Sequence, residues 1–408
     1  MDIVGLVAEY NPFHNGHLLQ LREIRRRFPD AGIVVAMSGS LTQRGSVAVL
    51  DKWKRAEAAV RHGVSLVLEL PALFATRSAQ YFAGGGVRLL DRLGVARVLA
   101  FGAECDNLKT LSRLAEETGT TESAEQLRKK MRDGGSYAAA LTGTAGPEAA
   151  IRQPNVILAV EYLRAIARHG ANLIPAPLPR FTAAHHDLSL PPDADGAPLV
   201  ASASAIRSAL FAKAECARAL RAVPADVAAL LSGDVSDTAR LLRPMLARLL
   251  MASPDEISAV AGVGEGLEHR LHRAALDTCS YDELVDAVRA KRYPRARIRR
   301  ILLHLLLGLS AESARLLDKA GPLYARPLAF NPEGRRILRA MLKNSEIPIV
   351  TKPARFLADS KTPPLAREML SFDLRATALA SLASDPIGTP SANADFLISP
   401  KYLQTKTV

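Results

Sequence analysis

An α/β fold is what this chain predicts: a parallel sheet in the first half, followed by a mainly α-helical second half. Three observations carry that reading. Short apolar runs alternate with helical patterns over the first hundred residues, which is how a parallel sheet covered by helices on both faces is written. Turn and cap residues stand at the boundaries, such as Asn11-Pro12 and Asp51. From about residue 214 strand signals become sparse, and Ala- and Leu-rich helical patterns run on, broken by Pro244, Pro254, Pro294, Pro322 and Pro332.

Residues 3–9 read as a strand, and 16–28 as the helix that follows it. Residues 32–37 form the second strand, and 52–62 a helix opened by the N-cap Asp51. A third strand covers 65–70, a helix 78–93, and a fourth strand 95–101 ends at Gly102. Residues 106–150 read as a helical insertion, with polar periodic stretches at 107–117 and 123–132. The pattern resumes with a helix at 155–167 after Pro154, which suits a first helical turn. A strand at 172–176, a loop rich in Pro, His and Asp at 180–197, and a helix from Ser204 to Phe211 complete the first part. The 408 residues suffice for two domains, and the composition shift near 213–225 divides them into 1–215 and 216–408.

Hydrophobic residues at 48% and charged residues at 23% are ordinary for a globular protein, and no run reaches the roughly 18–20 apolar residues of a membrane span. Asp2 followed at once by a strand does not read as a cleavable signal. Cys105, Cys216 and Cys279 lie far apart without CxxC spacing, which points to a reducing compartment and no zinc site, so a cytoplasmic location is expected. The net charge of +12 favours a polyanionic partner, nucleic acid first.

The first strand runs into Asn11-Pro12-Phe13-His14-Asn15-Gly16-His17. Two histidines and a glycine thus stand where a buried strand turns into a helix, a place where unpaired backbone N–H groups and the helix dipole hold phosphate. His14 and His17 can donate to phosphate oxygens as charge develops there. After the second strand, Ser38-Gly39-Ser40-Leu41-Thr42-Gln43-Arg44-Gly45 could wrap a substrate, with Gln43 and Arg44 as donors. In Ser202-Ala203-Ser204-Ala205-Ile206-Arg207, Ser204 can cap a helix and Arg207 can clamp an anion one turn on. Small residues near the strand ends, Gly5, Ala8 and Gly39, suit the walls of a narrow acyl pocket. Adjacent His185 and His186 with Asp187 resemble a metal cluster, but in an extended segment they point to opposite faces, so no protein-built metal site is expected. The Gly84-Gly85-Gly86 run lies inside a helical pattern and reads as close packing, not as a phosphate loop.

The order of these segments resembles the HIGH-type nucleotidyltransferase superfamily. Within it, residues 5–17, Met37–Gly45, Glu69-Leu70-Pro71, Phe101–Glu104, Pro154-Asn155, His186-Asp187, Ser202–Arg207, Lys291–Arg300 and Ala329–Gly334 resemble the tRNA(Met) cytidine acetate ligases over nearly the whole chain. That resemblance implies a Rossmann-like nucleotidyltransferase domain, acetate activated by ATP as acetyl-adenylate, and transfer to the wobble cytidine of elongator tRNA(Met). It implies His14, His17 and Arg207 as catalytic residues. It implies ATP contacts from Val7, Ala8, Glu9, Tyr10, Asn11, Pro12, Phe13, His14, Asn15, Gly16, His17 and Gln20, and later from Gly102, Asn155, Arg180 and Ser204. Magnesium would arrive with ATP. The proline-rich stretch before Arg180 departs from the family's pattern, and Ala103 stands in place of a serine.

Arg289, Lys291, Arg292, Arg295, Arg297, Arg299 and Arg300 form the densest basic segment. As one helix over Arg295–Leu309 it would bury Ile298, Ile301, Leu302, Leu305 and Leu309 and gather Arg292, Arg295 and Arg299 on the exposed side, a surface for tRNA phosphates apart from the nucleotide site. The tRNA contacts expected are Arg289, Lys291, Arg292, Arg295 and Arg299. Two further basic clusters, Arg25–Arg27 and Lys52/Lys54/Arg55, lie nearer the nucleotide site. An adenylyltransferase acting on a small phosphorylated metabolite would use the same histidine motif, and an RNA-binding protein without catalysis would use the same charge.

Overall fold

The computed structural model describes residues 2–118, 153–180, 190, 199–212, 215–233, 235–264, 266–388 and 391–404. The expected stretch at 123–132 and His185, His186 and Asp187 lie outside them. β1 (Ile3–Ala8), β2 (Gly32–Ser38), β3 (Leu66–Leu70), β4 (Val98–Ala103) and β5 (Ile174–Pro179) are parallel. β6 (Arg326–Phe330) adds antiparallel to β3, and β7 (Lys401–Tyr402) parallel to β6, giving the order β5-β4-β1-β2-β3-β6-β7. Strand order reverses at β1, which has β2 on one side and β4 on the other, so a crevice opens beyond the carboxyl ends of β1 and β4.

Side chains alternate between the two faces, and both faces are buried. Val4, Leu6, Ile33 and Val35 pack with Leu21 and Ile24 of α1 (Asn15–Arg27) and Trp53 of α2 (Lys52–Arg61). Ile3, Val34 and Ala36 pack on the other face with Leu89 and Leu90 of helix Ala79–Arg92 and Val160 of helix Pro154–His169. The glycine run does serve packing: a Cβ at Gly85 would lie 2.4 Å from Phe74, and one at Gly86 2.5 Å from Val7. No described helix is long and apolar enough to cross a membrane.

Two strands of the second half were missed by the sequence reading, and β5 runs further than expected. β5 contains Pro175, Pro177 and Pro179, at every second residue. It is an edge strand paired only with β4, so the missing N–H groups fall on the side that has no partner strand. β6 is held by a buried ionic cluster. Lys52 Nζ lies 2.7 Å from both Glu69 and Asp395, and Arg326 reaches the same two carboxylates at 3.0 and 2.6 Å. Lys52 is therefore part of the interior. So is Arg55, whose guanidinium donates to the carbonyls of Glu9, Ser38 and Leu50 and fixes the loops at the strand ends.

Candidate active site

A cavity of about 590 Å³ occupies the crevice. Its floor is the end of β1 (Val7, Ala8, Glu9) with Tyr10 and Asn11, and its back is the first turn of α1 with His14, Gly16, His17 and Gln20. Gly102, Asn155 and Arg180 line the β4 side, Ser202 to Ser204 and Arg207 another wall, and Gln43, Arg44, Pro294 and Arg300 the rim opposite. Phe82, Phe101, Ile157, Leu158 and Tyr162 supply an apolar end. Pro12, Phe13 and Asn15 are not among the lining residues; the Asn15 amide is spent on the carbonyls of Leu199 and Arg221 at 2.9 and 3.1 Å.

His14 is the N-cap of α1, and its Nδ1 accepts the Gly16 N–H at 3.1 Å. His17 sits at the third helical position, and its Nδ1 accepts the His14 N–H at 3.2 Å. The two histidines thus form a capping box of their own. With each Nδ1 used as an acceptor, the proton of a neutral ring is on Nε2. The rings stack at 3.7 Å, and Tyr10 meets His17 edge-on at 4.8 Å. Burial, then His17, Arg180 and Arg207, hold His14 well below the usual imidazole range. Burial and Arg180 push His17 down to about 3. Both are neutral Nε2–H donors at physiological pH.

Of the two helix starts expected to meet an anion, only the later one keeps open N–H groups. In α1 the first-turn N–H groups are satisfied within the protein: Asn15 N–H donates to Ala222 O (3.0 Å), Gly16 N–H to His14 Nδ1, and His17 N–H to His14 O (2.9 Å). In helix Ala203–Phe211 the N-cap is Ser202, not Ser204; its Oγ accepts the Ala205 N–H at 3.0 Å. The N–H groups of Ala203 and Ser204 have no hydrogen-bond partner among the described residues, and both residues line the cavity. Ser204 Oγ instead lies 3.3 Å from Arg207 Nη2, while Arg207 Nη1 donates to Asn11 O at 2.6 Å. Anion binding by a helix N-terminus is therefore available at Ser202–Arg207, with α1 contributing imidazoles.

Glu104 organises the far wall and was not singled out from the sequence. One oxygen accepts from both Asn155 Nδ2 (2.8 Å) and the Arg180 guanidinium, and the other is buried without a protein partner among the described residues. Its sequence signals were its place just after the Gly102-Ala103 strand end and its inclusion in the Phe101–Glu104 segment that resembles the family. Asn11 Oδ1 holds the Val49 N–H at 2.8 Å, and Glu9 Oε1 holds the Gln43 N–H at 2.7 Å, so the 38–50 loop is tied to β1 by two side chains. Gly5 and Gly39 are not acyl-pocket walls: a Cβ at Gly5 would meet Leu90 at 2.8 Å and one at Gly39 would meet the Glu69 carboxylate at 2.2 Å, whereas Ala8 does line the cavity.

The basic helix also differs from expectation. Helix Arg295–Leu307 buries Ile298, Ile301, Leu302 and Leu305, as its pattern required. Yet Arg295 pairs with Asp282 and Asp286, and Arg299 with Asp282 at 3.3 Å, so these two charges are locally neutralised rather than gathered on an open face. Arg289 and Lys291 are exposed. Nor is the segment apart from the nucleotide site. Arg300 donates to Gln43 O at 3.1 Å, Arg300 and Pro294 line the cavity, and the Arg299–Arg300 backbone packs on Gly45 (φ 77°), where a Cβ would come within 2.5 Å of it. At the end of α1, Arg26 and Arg27 pair with Glu23 within one turn.

Residues 1–394 match the family model described as HIGH Nucleotidyl Transferase. The tRNA(Met) cytidine acetate ligase of Syntrophomonas wolfei is 37% identical over 98% of this chain and 99% of its own length. That of Syntrophotalea carbinolica is 39% identical over 98% of both. The crystal structure of Thermotoga maritima TmcAL without ligand superposes with a TM-score of 0.90 at 31% identity, covering 99% of this chain and all of the other. The form bound with alpha-thio ATP gives 0.88 over the same coverage.

Proposed function

We propose a two-step reaction from the premise that this chain belongs to the HIGH nucleotidyl transferase family and, within it, to the tRNA(Met) cytidine acetate ligases. Its activity is that of the family. In the first step an acetate oxygen attacks the α-phosphorus of ATP, forming acetyl-adenylate and releasing pyrophosphate. In the second the N4 amine of the wobble cytidine of elongator tRNA(Met) attacks the acetyl carbon and AMP leaves. Acetate is a poor acylating agent and a cytosine amine a weak nucleophile, so activation must come first.

The observation that carries this reading is the convergence on one crevice of two neutral imidazole donors, the Arg180 and Arg207 guanidinium groups and the open N–H groups of Ala203 and Ser204. Donors preorganised around phosphate favour the charge that builds in its transition state. Asn155, Gly102 and Gln20 serve the nucleotide on the β4 side. Magnesium enters as the counter-ion of ATP; Glu9 is the only carboxylate lining the cavity among the described residues, a donor set suited to an ion held chiefly by phosphate oxygens and water. Pro294 lines both this cavity and a second hollow formed with Asp286, Arg289, Ala290 and Lys291. tRNA phosphates held at Arg289, Lys291 and Arg292 would thus place a flipped cytosine over Pro294. The compartment is the cytoplasm, where tRNA and ATP are at hand.

The test is product analysis with purified protein, labelled acetate, ATP and unmodified elongator tRNA(Met). Acetylcytidine, AMP and pyrophosphate should appear in equal amounts. Formation of ADP, or acetylation from acetyl-CoA without ATP, would overturn the mechanism.

A further inference from the structure

We propose that the Glu9 carboxylate reads the cytosine amine of the acceptor and takes its proton as the acetyl group is transferred. The inference rests on the reaction proposed above and assigns its second step, for which the phosphate-binding groups supply no base. The cationic and imidazole groups of the cavity are all donors toward a ligand. Arg44, Arg180, Arg207 and Arg300 have no acceptor atom in their side chains, and the two histidines use Nδ1 for the helix cap, leaving Nε2–H. The N4 amine of cytosine is itself a donor, and the side chain that matches it is a carboxylate. Among the described lining residues Glu9 alone provides one.

Its placement fits the role. Glu9 follows the last residue of β1, where the crevice opens. Its main-chain carbonyl is held by Arg55 at 2.6 Å and its Oε1 by the Gln43 N–H at 2.7 Å, so both the backbone and one carboxylate oxygen are anchored. The Gln43 N–H uses one acceptor site of a carboxylate that has about four, so lone pairs remain for an incoming amine. Gln43 in turn accepts, through its carbonyl, from Arg300 of the basic helix, so Glu9 on the floor is linked to the rim that Gln43, Pro294 and Arg300 form. Arg44 and Arg207 are within electrostatic reach of Glu9, which offsets the effect of burial on both. The step balances: the amine nitrogen forms the new C–N bond, the bond from the acetyl carbon to the phosphate oxygen breaks, AMP departs with that electron pair, and one amine proton passes to Glu9 and then to water.

The variant Glu9→Gln keeps an oxygen for the Gln43 N–H and loses the base. Two steps are read separately. Acetate-dependent exchange of pyrophosphate into ATP, and trapping of acetyl-adenylate by hydroxylamine, report the first. Single-turnover transfer from preformed acetyl-adenylate to tRNA reports the second. Transfer should fall about a hundredfold or more, within the range for loss of a general base. Exchange and hydroxamate formation should fall by a factor at least tenfold smaller than transfer does, because exchange does not involve the amine and hydroxylamine attacks without a base. Equal losses in all three assays would make Glu9 a phosphate-site or loop-anchoring residue and overturn the assignment; so would undiminished transfer. Glu9→Asp, which keeps the charge but withdraws it by one methylene, decides the same ratio if the amide variant does not fold. Absence of exchange in the wild type would instead refute the two-step reaction itself.

Discussion

Replacing His17 by Ala removes two things that the structure keeps distinct. One is the Nε2–H donor at the back of the cavity. The other is the Nδ1 acceptor that holds the His14 N–H at 3.2 Å and closes the capping box. Loss of a preorganised transition-state donor costs roughly 10²–10³ in rate, about 2.7–4 kcal/mol. Loss of the cap bond costs stability of about 1 kcal/mol. Acetate-dependent pyrophosphate exchange measures the first and urea unfolding the second. His17→Gln separates them, because Gln at this position can reach back to the N-cap N–H as Glu or Gln does in an ordinary capping box. It should restore stability without restoring rate. The pH profile is a further arm. Burial holds His17 at about 3 and His14 well below its usual value, so wild-type exchange should show no histidine titration near 6.5. Exchange by His17→Ala within twofold of wild type would refute the donor role. Recovery of rate and stability together in His17→Gln would reduce His17 to a cap. A rate that fell as pH rose through 6.5 would require a charged imidazolium and contradict the tautomer drawn from the cap.

Three further outcomes follow from the same geometry. Reversing Arg289 and Lys291 to Glu should weaken tRNA binding and lower the slope of log affinity against log salt by about 1.4–1.8, at roughly 0.7–0.9 per phosphate contact. Replacing Arg295 and Arg299 by Ala should change it less, because Asp282 and Asp286 already pair with them; filter binding across a salt series compares the two double variants. Glu104→Gln keeps an acceptor for Asn155 but loses the charge on Arg180, so KM for ATP should rise roughly tenfold for a loss of about 1.5 kcal/mol, with kcat less affected; steady-state kinetics decide it. His304 is buried between the carbonyls of Ala261 and Thr76, and burial pushes it from 6.5 down to about 4. The unfolded chain therefore binds the extra proton between those values, and stability present above pH 6.5 is lost as pH falls toward 4, by up to about 3 kcal/mol from this group. In His304→Gln the dependence of unfolding free energy on pH between 4.5 and 6.5 should be shallower by about 1.4 kcal/mol per pH unit.

What the sequence makes legible is what lies close along the chain. The β1–α1 junction could be read because strand, turn, cap and helix occupy consecutive residues, and the histidines cap one another three residues apart. The same reading assigned the wrong partner to the α1 N–H groups, since the group that takes the Asn15 N–H is the carbonyl of Ala222, some two hundred residues on. Ser202 and Ser204 are equally good caps by type, and only the backbone chooses between them. β6 is a five-residue strand, Arg326-Pro327-Leu328-Ala329-Phe330, that opens on a charge and a proline, and its place beside β3 depends on Arg326 meeting Glu69 and on Asp395 closing the cluster. Counting cations along Arg289–Arg300 likewise overlooked Asp282 and Asp286 on the preceding helix.

The packing of that helix on the nucleotide crevice has the largest consequence for function. Gly45 ends the polar segment that follows the second strand. Its positive φ and the Arg299–Arg300 backbone against it show that the loop turns there to seat the basic helix. Gln43 then joins Arg300, through its carbonyl, to Glu9, through its N–H. A single residue thus spans from the helix next to the exposed Arg289 and Lys291 to the end of β1. A displacement of the helix start by bound polyanion must move Gln43 or break one of its two bonds, and either change alters the orientation of the only carboxylate lining the described cavity. The basic helix and the cavity are therefore mechanically one structure, although the chain writes them about 250 residues apart.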